Sequence, residues 1–523
     1  MSSPETSTAS AAIDSRPTEF AFANTYARLP ERFYARVNPT PVAAPRLIRV
    51  NAELARQLNL DPEFLASPEG VEILAGNRIA AGSEPLAEAY AGHQFGHFVP
   101  QLGDGRANLL GEVLSRDGAR YDIQLKGSGP TPFSRRGDGR AALGPVLREY
   151  LVSEAMFALG VPTTRALAAV TTGQSVVRET VQPGAIFTRV AASHIRVGTF
   201  QYSAARGDNE AVGILANYAI ARHYPEAART PHPYRAFLEG VVVRQARLIA
   251  QWLHLGFVHG VMNTDNMAVS GETIDFGPCA FMEAFDPAQV FSSIDANGRY
   301  AYANQPSAAL WNLMRFAECL LPLLEQEAGS KEAAVASAND ALAAFESQFE
   351  AANLAGMRRK LGLATEHESD GALIDDLLGR MAANRADFTL TFRSLADEAD
   401  PAGAPSKLRL GGPAVTAHES ARDLFADPTA FDTWAVEWRA RLTLESASPD
   451  EIAAGMRRAN PAFIPRNHRV QAVIDAAVNR DDFAPFAELL DVVTHPYDDR
   501  PELERYTTPA LPGECVTQTF CGT

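Results

Sequence analysis

The sequence contains little cysteine, no long apolar run and fewer basic than acidic residues. Only four of its 523 residues are cysteines, and none are spaced like zinc ligands, so neither a disulfide framework nor a zinc module is predicted. No apolar stretch approaches the roughly 18 residues of a membrane span, and the N-terminus has no signal-peptide core. The 47 basic and 63 acidic residues give a net charge of −16, which argues against non-specific binding to nucleic acid or anionic membrane. We predict a cytoplasmic globular protein without a nucleic-acid or membrane partner.

The length and apolar content are sufficient for more than one core. Residues 1–16 are small and polar, and we predict a disordered tail there. A helix is predicted to start at Leu143, and after Gly207 the apolar spacing becomes helical and stays so. Further strands of a mostly antiparallel sheet are predicted at Thr163–Thr171, Ser175–Thr180 and Ala185–Ala191. The pattern favours an α+β fold with a small β lobe and a large helical lobe.

The stretch from residue 252 to residue 282 carries the strongest chemical signal. His259 is followed seven residues later by Asn266, and Asp275 opens an Asp-Phe-Gly triplet. Protein kinases have the same order, His-Arg-Asp with an Asn five residues after that Asp, and then Asp-Phe-Gly. In kinases this Asn and the second Asp hold the metal ions on the ATP phosphates. Asn266 and Asp275 are therefore the candidate ligands for Mg²⁺ or Mn²⁺.

The same stretch departs from the kinase pattern at the catalytic base. Val261 occupies the position of the kinase base, and it cannot accept a proton. The only carboxylate between His259 and Asn266 is Asp265, which lies beside the candidate metal ligand Asn266. This indicates either altered transfer chemistry or an inactive enzyme.

A glycine-rich segment precedes a strand that ends in a lysine. The turn at Gly103-Asp104-Gly105-Arg106 leads into an apolar run, a second turn and the alternating sequence YDIQLK, which ends at Lys126. In kinases such a hairpin covers the phosphates, and the following strand carries a phosphate-binding Lys. Glu149, on the predicted helix, would orient the Lys126 ammonium as the corresponding helix Glu does in kinases.

Several arginines lie close to these motifs in the sequence. Residues 135–140 form a second glycine turn with three guanidinium groups. Arg189 lies on the predicted strand Ala185–Ala191, and Arg196 follows seven residues later. Arginine binds phosphate oxygens with two parallel hydrogen bonds, so this density in an acidic protein favours a polyphosphate site.

Two other polar groups favour structural roles. His93 and His97 could face one metal on a helix, but Gln94 replaces the Glu of the HEXXH zinc motif, and flanking glycines weaken a helix. The polar residues between Asn460 and His468 are predicted to cap and brace helix ends near prolines.

With these residues in place, the chain resembles the selenoprotein O family of protein nucleotidyltransferases, which have a pseudokinase fold. The resemblance runs from about Asn24 to Cys521 and rests on NTYARLPERFYARVNPTPVAAPRLIRVN, AGHQFGHFVPQLGDGRA, QLKGSGPTPFSRRGDGRAALGPVLREYLVSEAM, VHGVMNTDNMAVSGETIDFGP and NPAFIPRNHRV. It implies a bilobal kinase-like fold in which ATP binds in reversed orientation, so that AMP is transferred to Ser, Thr or Tyr hydroxyls of proteins, including the enzyme itself.

The resemblance also assigns site residues and domains. Asp265 would be the proton acceptor, Asn266 and Asp275 the metal ligands, and Glu149 the support of Lys126. The nucleotide contacts would be Gly103, Gly105, Arg106, Lys126, Asp138, Gly139, Arg189, Arg196 and Asp275. The predicted divisions are a tail (1–16), an N-terminal extension packed on the first lobe (17–99), the β lobe (100–207), the helical lobe (208–399) and a C-terminal extension (400–523).

Two alternatives and one regulatory question stay open at this point. A kinase-like phosphotransferase on a protein or small molecule would fit the metal and lysine motifs, and a nucleotide-binding pseudokinase scaffold would fit the missing base. The family includes members with a tail disulfide, which leaves a Cys279–Cys521 or Cys515–Cys521 bond open here. A monomer is expected.

Overall fold

The structure is a computed structural model that describes residues 20–399 and 420–519. The predicted tail at residues 1–16, the Pro, Gly and Ala-rich break at residues 400–413 and Cys521 lie outside the described residues. Within them the chain is a mixed α/β protein with an antiparallel sheet and many helices, as the α+β prediction requires.

The strands form one eight-stranded sheet and two small pairs. The sheet order is β1-β3-β6-β7-β10-β9-β2, with β8 paired to β10, and every pairing in it is antiparallel. The pairs are β4 with β5 and β11 with β12. The strands are β1 (Tyr34–Arg36), β2 (Arg46–Val50), β3 (Leu86–Glu88), β4 (Gly92–Gln94), β5 (His97–Val99), β6 (Ala107–Leu114), β7 (Arg120–Lys126), β8 (Ala141–Ala142), β9 (Arg165–Val177), β10 (Val181–Ala191), β11 (Phe257–Val258) and β12 (Ala280–Phe281).

Two details of the predicted strands are wrong. The separate strand at Ser175–Thr180 does not exist, because β9 runs without interruption through Gly173, whose φ of +67° lies beside a register shift in the β9–β10 pairing. A glycine of this kind produces a bulge inside a long strand instead of a turn between two strands. The sequence also predicts a short hairpin with its turn at Ser270-Gly271. The turn is present, but its flanks bridge to Arg196 and Thr163 and not to each other.

The helical spacing predicted after Gly207 is confirmed by a series of long helices. Asn51, Asp61, Ser67, Asp208, Ser330, Asp387, Asp427 and Ser448 cap helix N-termini with their side chains. The α-helices are α1 (Ala52–Gln57), α2 (Pro62–Ala66), α3 (Pro68–Leu74), α4 (Leu143–Ala158), α5 (Val197–Ala204), α6 (Asn209–His223), α7 (Pro233–His254), α8 (Gln305–Ala328), α9 (Lys331–Lys360), α10 (Asp370–Asn384), α11 (Phe388–Ser394), α12 (Pro428–Leu442), α13 (Pro449–Ala459), α14 (Asn467–Arg480) and α15 (Ala484–Val493). None of the helices in the described part of the chain is both long and apolar enough to cross a bilayer.

Helix α4 is buried along almost its whole length. It packs on strands β9 and β10 with one side and on helices α14 and α15 with the other. Because it has no solvent-facing side in its first three turns, its charged residues Arg148 and Glu149 must find partners in the interior. Arg148 donates to Asn467 Oδ1 at 2.9 Å and to the Cys279 carbonyl at 3.2 Å. The partners of Glu149 define the site described below.

The polar residues between Asn460 and His468 brace the ends of neighbouring helices, as predicted. Asn460 Nδ2 donates to the Lys360 carbonyl at 2.8 Å, and the buried Arg466 forms two bonds to Asp387 at 2.8 and 3.1 Å. These contacts tie the segment before α14 to α9 and α11. A catalytic role is not needed to explain them.

Lys360, at the end of α9, is a buried amine. Its ammonium nitrogen lies 4.3 Å from the centroid of the Phe392 ring and 5.4 Å from that of Phe388. Burial lowers the pKa of Lys360 to about 7. The unfolded chain therefore binds more protons than the folded chain between pH 7 and about 10, and stability rises with pH in that window.

We expect Lys360→Met to raise the free energy of unfolding at pH 7 by about 2 to 4 kcal/mol, because one pKa unit corresponds to about 1.4 kcal/mol and some cation–π attraction is lost. It should also remove the rise in stability between pH 7 and 10. Urea unfolding at several pH values measures both effects. Lys331→Met, at the exposed start of the same helix, is the matched control. Equal unfolding free energies for Lys360→Met and the wild type at pH 7 would contradict the prediction.

Candidate active site

A polar cleft of about 70 Å³ lies between the sheet and the segment that carries the Asp-Phe-Gly triplet. Four cationic side chains and two carboxylates line it, so the cleft is cationic although the protein is strongly acidic. Such a local excess of positive charge attracts and holds anionic ligands. The lining residues are Tyr90, Asp104, Gly105, Arg106, Ala107, Lys126, Arg189, Arg196 and Asp275.

A chain of ion pairs crosses the base of the cleft. Lys126 is the last residue of β7, and its ammonium contacts Glu149 Oε2 at 2.5 Å and Asp275 Oδ1 at 2.9 Å. Arg189, on the neighbouring strand β10, donates to Glu149 Oε1 at 3.2 Å and to Gln124 Oε1 at 2.6 Å. Glu149 thus orients two cations at once, and the predicted lysine–glutamate pair is present.

Asp275 is held in place by its backbone and by its charge environment. Its φ of +68° lies in the left-handed region, which is unusual for a residue other than glycine and occurs often at functional sites. The imidazole Nε2 of His259 donates to the Ile274 carbonyl at 2.9 Å and fixes the preceding peptide. Burial acts to raise the pKa of Asp275, but Lys126, Arg106 and Arg189 together hold it well below its usual range. The side chain is therefore ionised, as a metal ligand must be.

Arg196 connects the cleft to the loop that carries Asp265. Its guanidinium donates to the Asp265 carbonyl at 2.9 Å and lies 3.7 Å from Asp104 Oδ1. It also lies over the Tyr90 ring, 4.6 Å from the centroid. These contacts fix the guanidinium in one position, so that a ligand can bind it without ordering a flexible side chain.

The predicted glycines of the first turn are required by close packing. A Cβ atom at Gly103 would lie 2.4 Å from Phe133 Cγ, and one at Gly105 would lie 2.8 Å from the Phe133 carbonyl oxygen. Gly105 lines the cleft and Gly103 does not. The chain at Phe133 therefore supports this turn.

Asp138 and Gly139 do not line the cleft. Asp138 forms two bonds to Arg178, at 2.9 and 3.0 Å, and accepts a bond from the Arg140 backbone. Gly139 packs on Gly129 so tightly that a Cβ atom would lie 2.1 Å from its carbonyl oxygen. Their assignment as nucleotide contacts stays a prediction.

The loop after β11 carries Asp265 and Asn266 on a single 3₁₀ turn, Thr264–Asn266. Asp265 is 7 % exposed, and its Oδ1 is buried without a hydrogen-bond partner. Burial raises the pKa of Asp265 to about 6, although Arg196 opposes this. The residue therefore has the basicity of a group that can take a proton near neutral pH.

Asn266, on the same turn, does not line the cleft. Its amide donates to the Val261 carbonyl at 3.0 Å, and it lines a separate cavity of about 10 Å³ with Met262 and Asn312. Its side-chain oxygen is not used in that bond. An amide oxygen and an ionised carboxylate are hard donors, and the pair Asn266 and Asp275 therefore fits Mg²⁺ or Mn²⁺ in chemistry.

A second group of possible ligands lies elsewhere. Atoms of Glu88, Asp122 and His194 that could bind a metal lie within 4.8 Å of one another in the interior. Asp122 accepts bonds from His194 Nδ1 at 3.0 Å and from Arg222 at 2.6 Å. This cluster is distinct from the predicted ligands. His93 and His97 do not belong to it and lie on a β-hairpin instead of a helix.

Sequence reasoning did not identify Asp104 and Tyr90 as site residues. Asp104 stands inside the glycine turn, and its Oδ2 accepts bonds from Gln124 Nε2 at 3.1 Å and from the Glu88 backbone at 3.2 Å. A charged residue between the two glycines of the turn was the available signal for it. No signal in the sequence points to Tyr90, because its ring reaches Arg196 only through the tertiary fold.

The sheet, the helical core and the buried lysine–glutamate pair define a mixed α/β protein with a cationic cleft. A family model described as protein adenylyltransferase SelO matches residues 17–494. The chain belongs to this family, and it is an enzyme of the nucleotidyltransferase class. The resemblance inferred from the motifs is confirmed.

Close relatives cover nearly the whole chain. Proteins named protein nucleotidyltransferase YdiU are 63 % identical in Bradyrhizobium diazoefficiens, 63 % identical in Methylorubrum populi and 61 % identical in Rhodopseudomonas palustris strain BisB18. Each match extends over 504 residues, which is 96 % of this chain and 99 % of the relative. The family name implies ATP as the nucleotide and proteins as acceptors.

The three cysteines in the described part of the chain are free thiols. Cys279 and Cys319 are buried free thiols, and Cys515 is an exposed one. Burial raises the pKa of Cys279 to about 12, which makes its thiolate scarce. The proposed bonds to Cys521 lie outside the described residues.

Proposed function

We propose that this protein transfers AMP from ATP to Ser, Thr or Tyr hydroxyls of proteins, with ATP bound so that its α-phosphate faces the acceptor. The observation that carries the proposal is the set of four cations that line the cleft with Asp275, and it is combined with the presence of Val261 at the kinase base position and of Asp265 four residues later. The reversed orientation and the kinase-like bilobal fold rest on the family resemblance.

The chemical step requires a proton acceptor and a way to stabilise pyrophosphate. The acceptor oxygen attacks the α-phosphorus, the bond from that phosphorus to the oxygen bridging the β-phosphate breaks, and pyrophosphate leaves with the bonding electrons. The hydroxyl proton passes to Asp265. Lys126, Arg189 and Arg196 neutralise charge on the phosphates. A Mg²⁺ or Mn²⁺ ion, if held by Asn266 and Asp275, supplies further charge neutralisation.

The two alternatives differ in what they ask of the site. A phosphotransferase of the kinase type needs a carboxylate at position 261, where the chain has Val261. A scaffold without activity has no use for the Lys126–Glu149–Arg189 chain, since burying three charged side chains without a function is costly. Both observations favour nucleotidyl transfer.

Labelled ATP separates the three functions. We expect label from the α-phosphate, and not from the γ-phosphate, to be retained on protein after incubation with Mg²⁺ or Mn²⁺. Intact mass of the enzyme should show additions of one AMP each, because self-modification is part of the proposal. Retention of γ-label would establish a kinase instead, and retention of neither label on the enzyme or on a cell extract would favour the scaffold.

The setting of the enzyme is also part of the proposal. We infer a cytoplasmic enzyme that acts as a monomer. Size-exclusion chromatography with light scattering tests the second point, and a dimer mass at micromolar concentration would overturn it.

A further inference from the structure

The hairpin formed by β4 and β5 lies directly on the loop that carries Asp265. None of the residues assigned to the site above lies in this hairpin, and its two histidines, His93 and His97, were considered only as metal ligands on a helix. The hairpin contacts the loop through its first strand and its tip, and Phe98 and His97 on the second strand are exposed.

Three successive residues of the hairpin bind three neighbouring residues of the loop. The three hydrogen bonds are His93 N to Thr264 Oγ1 at 2.7 Å, Gln94 Nε2 to Asp265 Oδ2 at 3.3 Å, and Phe95 N to Asn263 Oδ1 at 3.0 Å.

A closed ring of hydrogen bonds holds the base of the hairpin. The Thr264 hydroxyl accepts from His93 N and donates to Gln201 Oε1 at 2.6 Å. Gln201 Nε2 in turn lies 2.8 Å from His93 Nδ1. The ring links the hairpin, helix α5 and the loop. His93 is used here as a hydrogen-bond partner.

The hairpin also determines how the Asp265 carboxylate can turn. A Cβ atom at Gly92 would lie 2.6 Å from Asp265 Oδ1, so this oxygen is pressed against the hairpin backbone. Within residues 20–399 and 420–519, Gln94 is the one side chain that donates to the carboxylate, and it binds the other oxygen, Oδ2. One oxygen is therefore held by an amide and the other by contact.

We infer that Gln94 is a positioning residue for the proton acceptor. The inference rests on the proposed function, in which Asp265 takes the hydroxyl proton. The proton acceptor lies at position 265 and not at the kinase position 261, so different contacts must orient its carboxylate. The hairpin supplies these contacts through Gln94 and the ring around Thr264. Gln94 does not line the phosphate cleft, so its effect is on proton transfer and not on ATP binding.

The first test is Gln94→Met, which keeps the length of the side chain and removes the donor. We expect kcat for AMP transfer to fall about 10- to 100-fold, as for other residues that orient a reacting group, with the KM for ATP changed less than about twofold. His97→Asn, on the exposed strand of the same hairpin, should keep wild-type kcat. The affinity for a non-hydrolysable ATP analogue should be the same in all three proteins.

A double-mutant cycle shows whether Gln94 acts through Asp265. If it does, Gln94→Met lowers kcat in the wild-type background but has no further effect on the residual activity of Asp265→Asn. A merely structural role would reduce both. Thr264→Val should reproduce the kcat loss. Thr264→Ser, which keeps the hydroxyl, should have nearly the wild-type kcat.

Each failure is distinguishable. Wild-type kcat in Gln94→Met, an equal loss in the Asp265→Asn background, or a loss confined to the KM for ATP overturns the positioning role. The proposed function is judged separately, by transfer of α-label in the wild-type enzyme. If that transfer occurs and Asp265→Asn is fully active, the base assignment is wrong and the inference about Gln94 is wrong with it.

Discussion

Asp275→Asn is expected to abolish measurable AMP transfer, with a loss on the order of 10³-fold or more, because it removes a charged ligand from the predicted metal pair. The substitution is isosteric, and the amide can still contact Lys126. The substitution removes the negative charge of the carboxylate, which nearby cations keep ionised. Transfer of α-label at saturating ATP and metal measures the effect.

A metal-binding readout separates this effect from simple misfolding. Mn²⁺ titration followed by electron paramagnetic resonance, in the presence of a non-hydrolysable ATP analogue, should show weaker binding in Asp275→Asn. Asp286→Asn is a suitable control, because Asp286 lies downstream on the same segment and only caps a loop through Ala288. It should bind Mn²⁺ and transfer AMP like the wild type. Normal Mn²⁺ binding by Asp275→Asn would remove Asp275 from the ligand set.

The chain order of the motifs allowed the centre of the site to be predicted. Lys126, Glu149 and Asp275 are far apart in the sequence, yet each stands at a recognisable place: a strand end, a buried helix and a tight turn before glycine. Local patterns encode such places, and the kinase-like order then predicts which of them meet. The structure brings all three within direct contact.

Contacts that depend on tertiary packing could not be predicted in this way. The hairpin over Asp265 has two glycines and two histidines, and its short strands give no period long enough to distinguish from a helix. Asp104 and Tyr90 reach Arg196 only because β3, β6 and the start of α5 converge. The uninterrupted β9 was also missed, since Gly173 has the local signature of a turn whether it ends a strand or forms a bulge.

Lys126→Met should reduce AMP transfer about 10²- to 10³-fold and raise the KM for ATP. The substitution removes a cation from the phosphates, and it removes the ammonium that links Glu149 to Asp275. Arg189 still pairs with Glu149 in the variant, so the larger structural consequence falls on Asp275, which loses the ammonium 2.9 Å from its Oδ1. The pKa of Asp275 should rise toward its usual range. Raising the pH from 7 to 8.5 should therefore restore little activity, since even the raised pKa of Asp275 stays far below neutrality.

The chain offers a matched control for this change on the same helix. Arg165, on strand β9, pairs with Glu154 of α4 at 2.8 Å, as Lys126 on strand β7 pairs with Glu149. The two cations are similarly buried, with side chains 10 % and 12 % exposed. Arg165→Met breaks a buried ion pair away from the cleft, so it should lower the melting temperature without changing the KM for ATP. If both variants lose stability and activity in the same proportion, the lysine acts as a structural cation and its role at the phosphates is excluded.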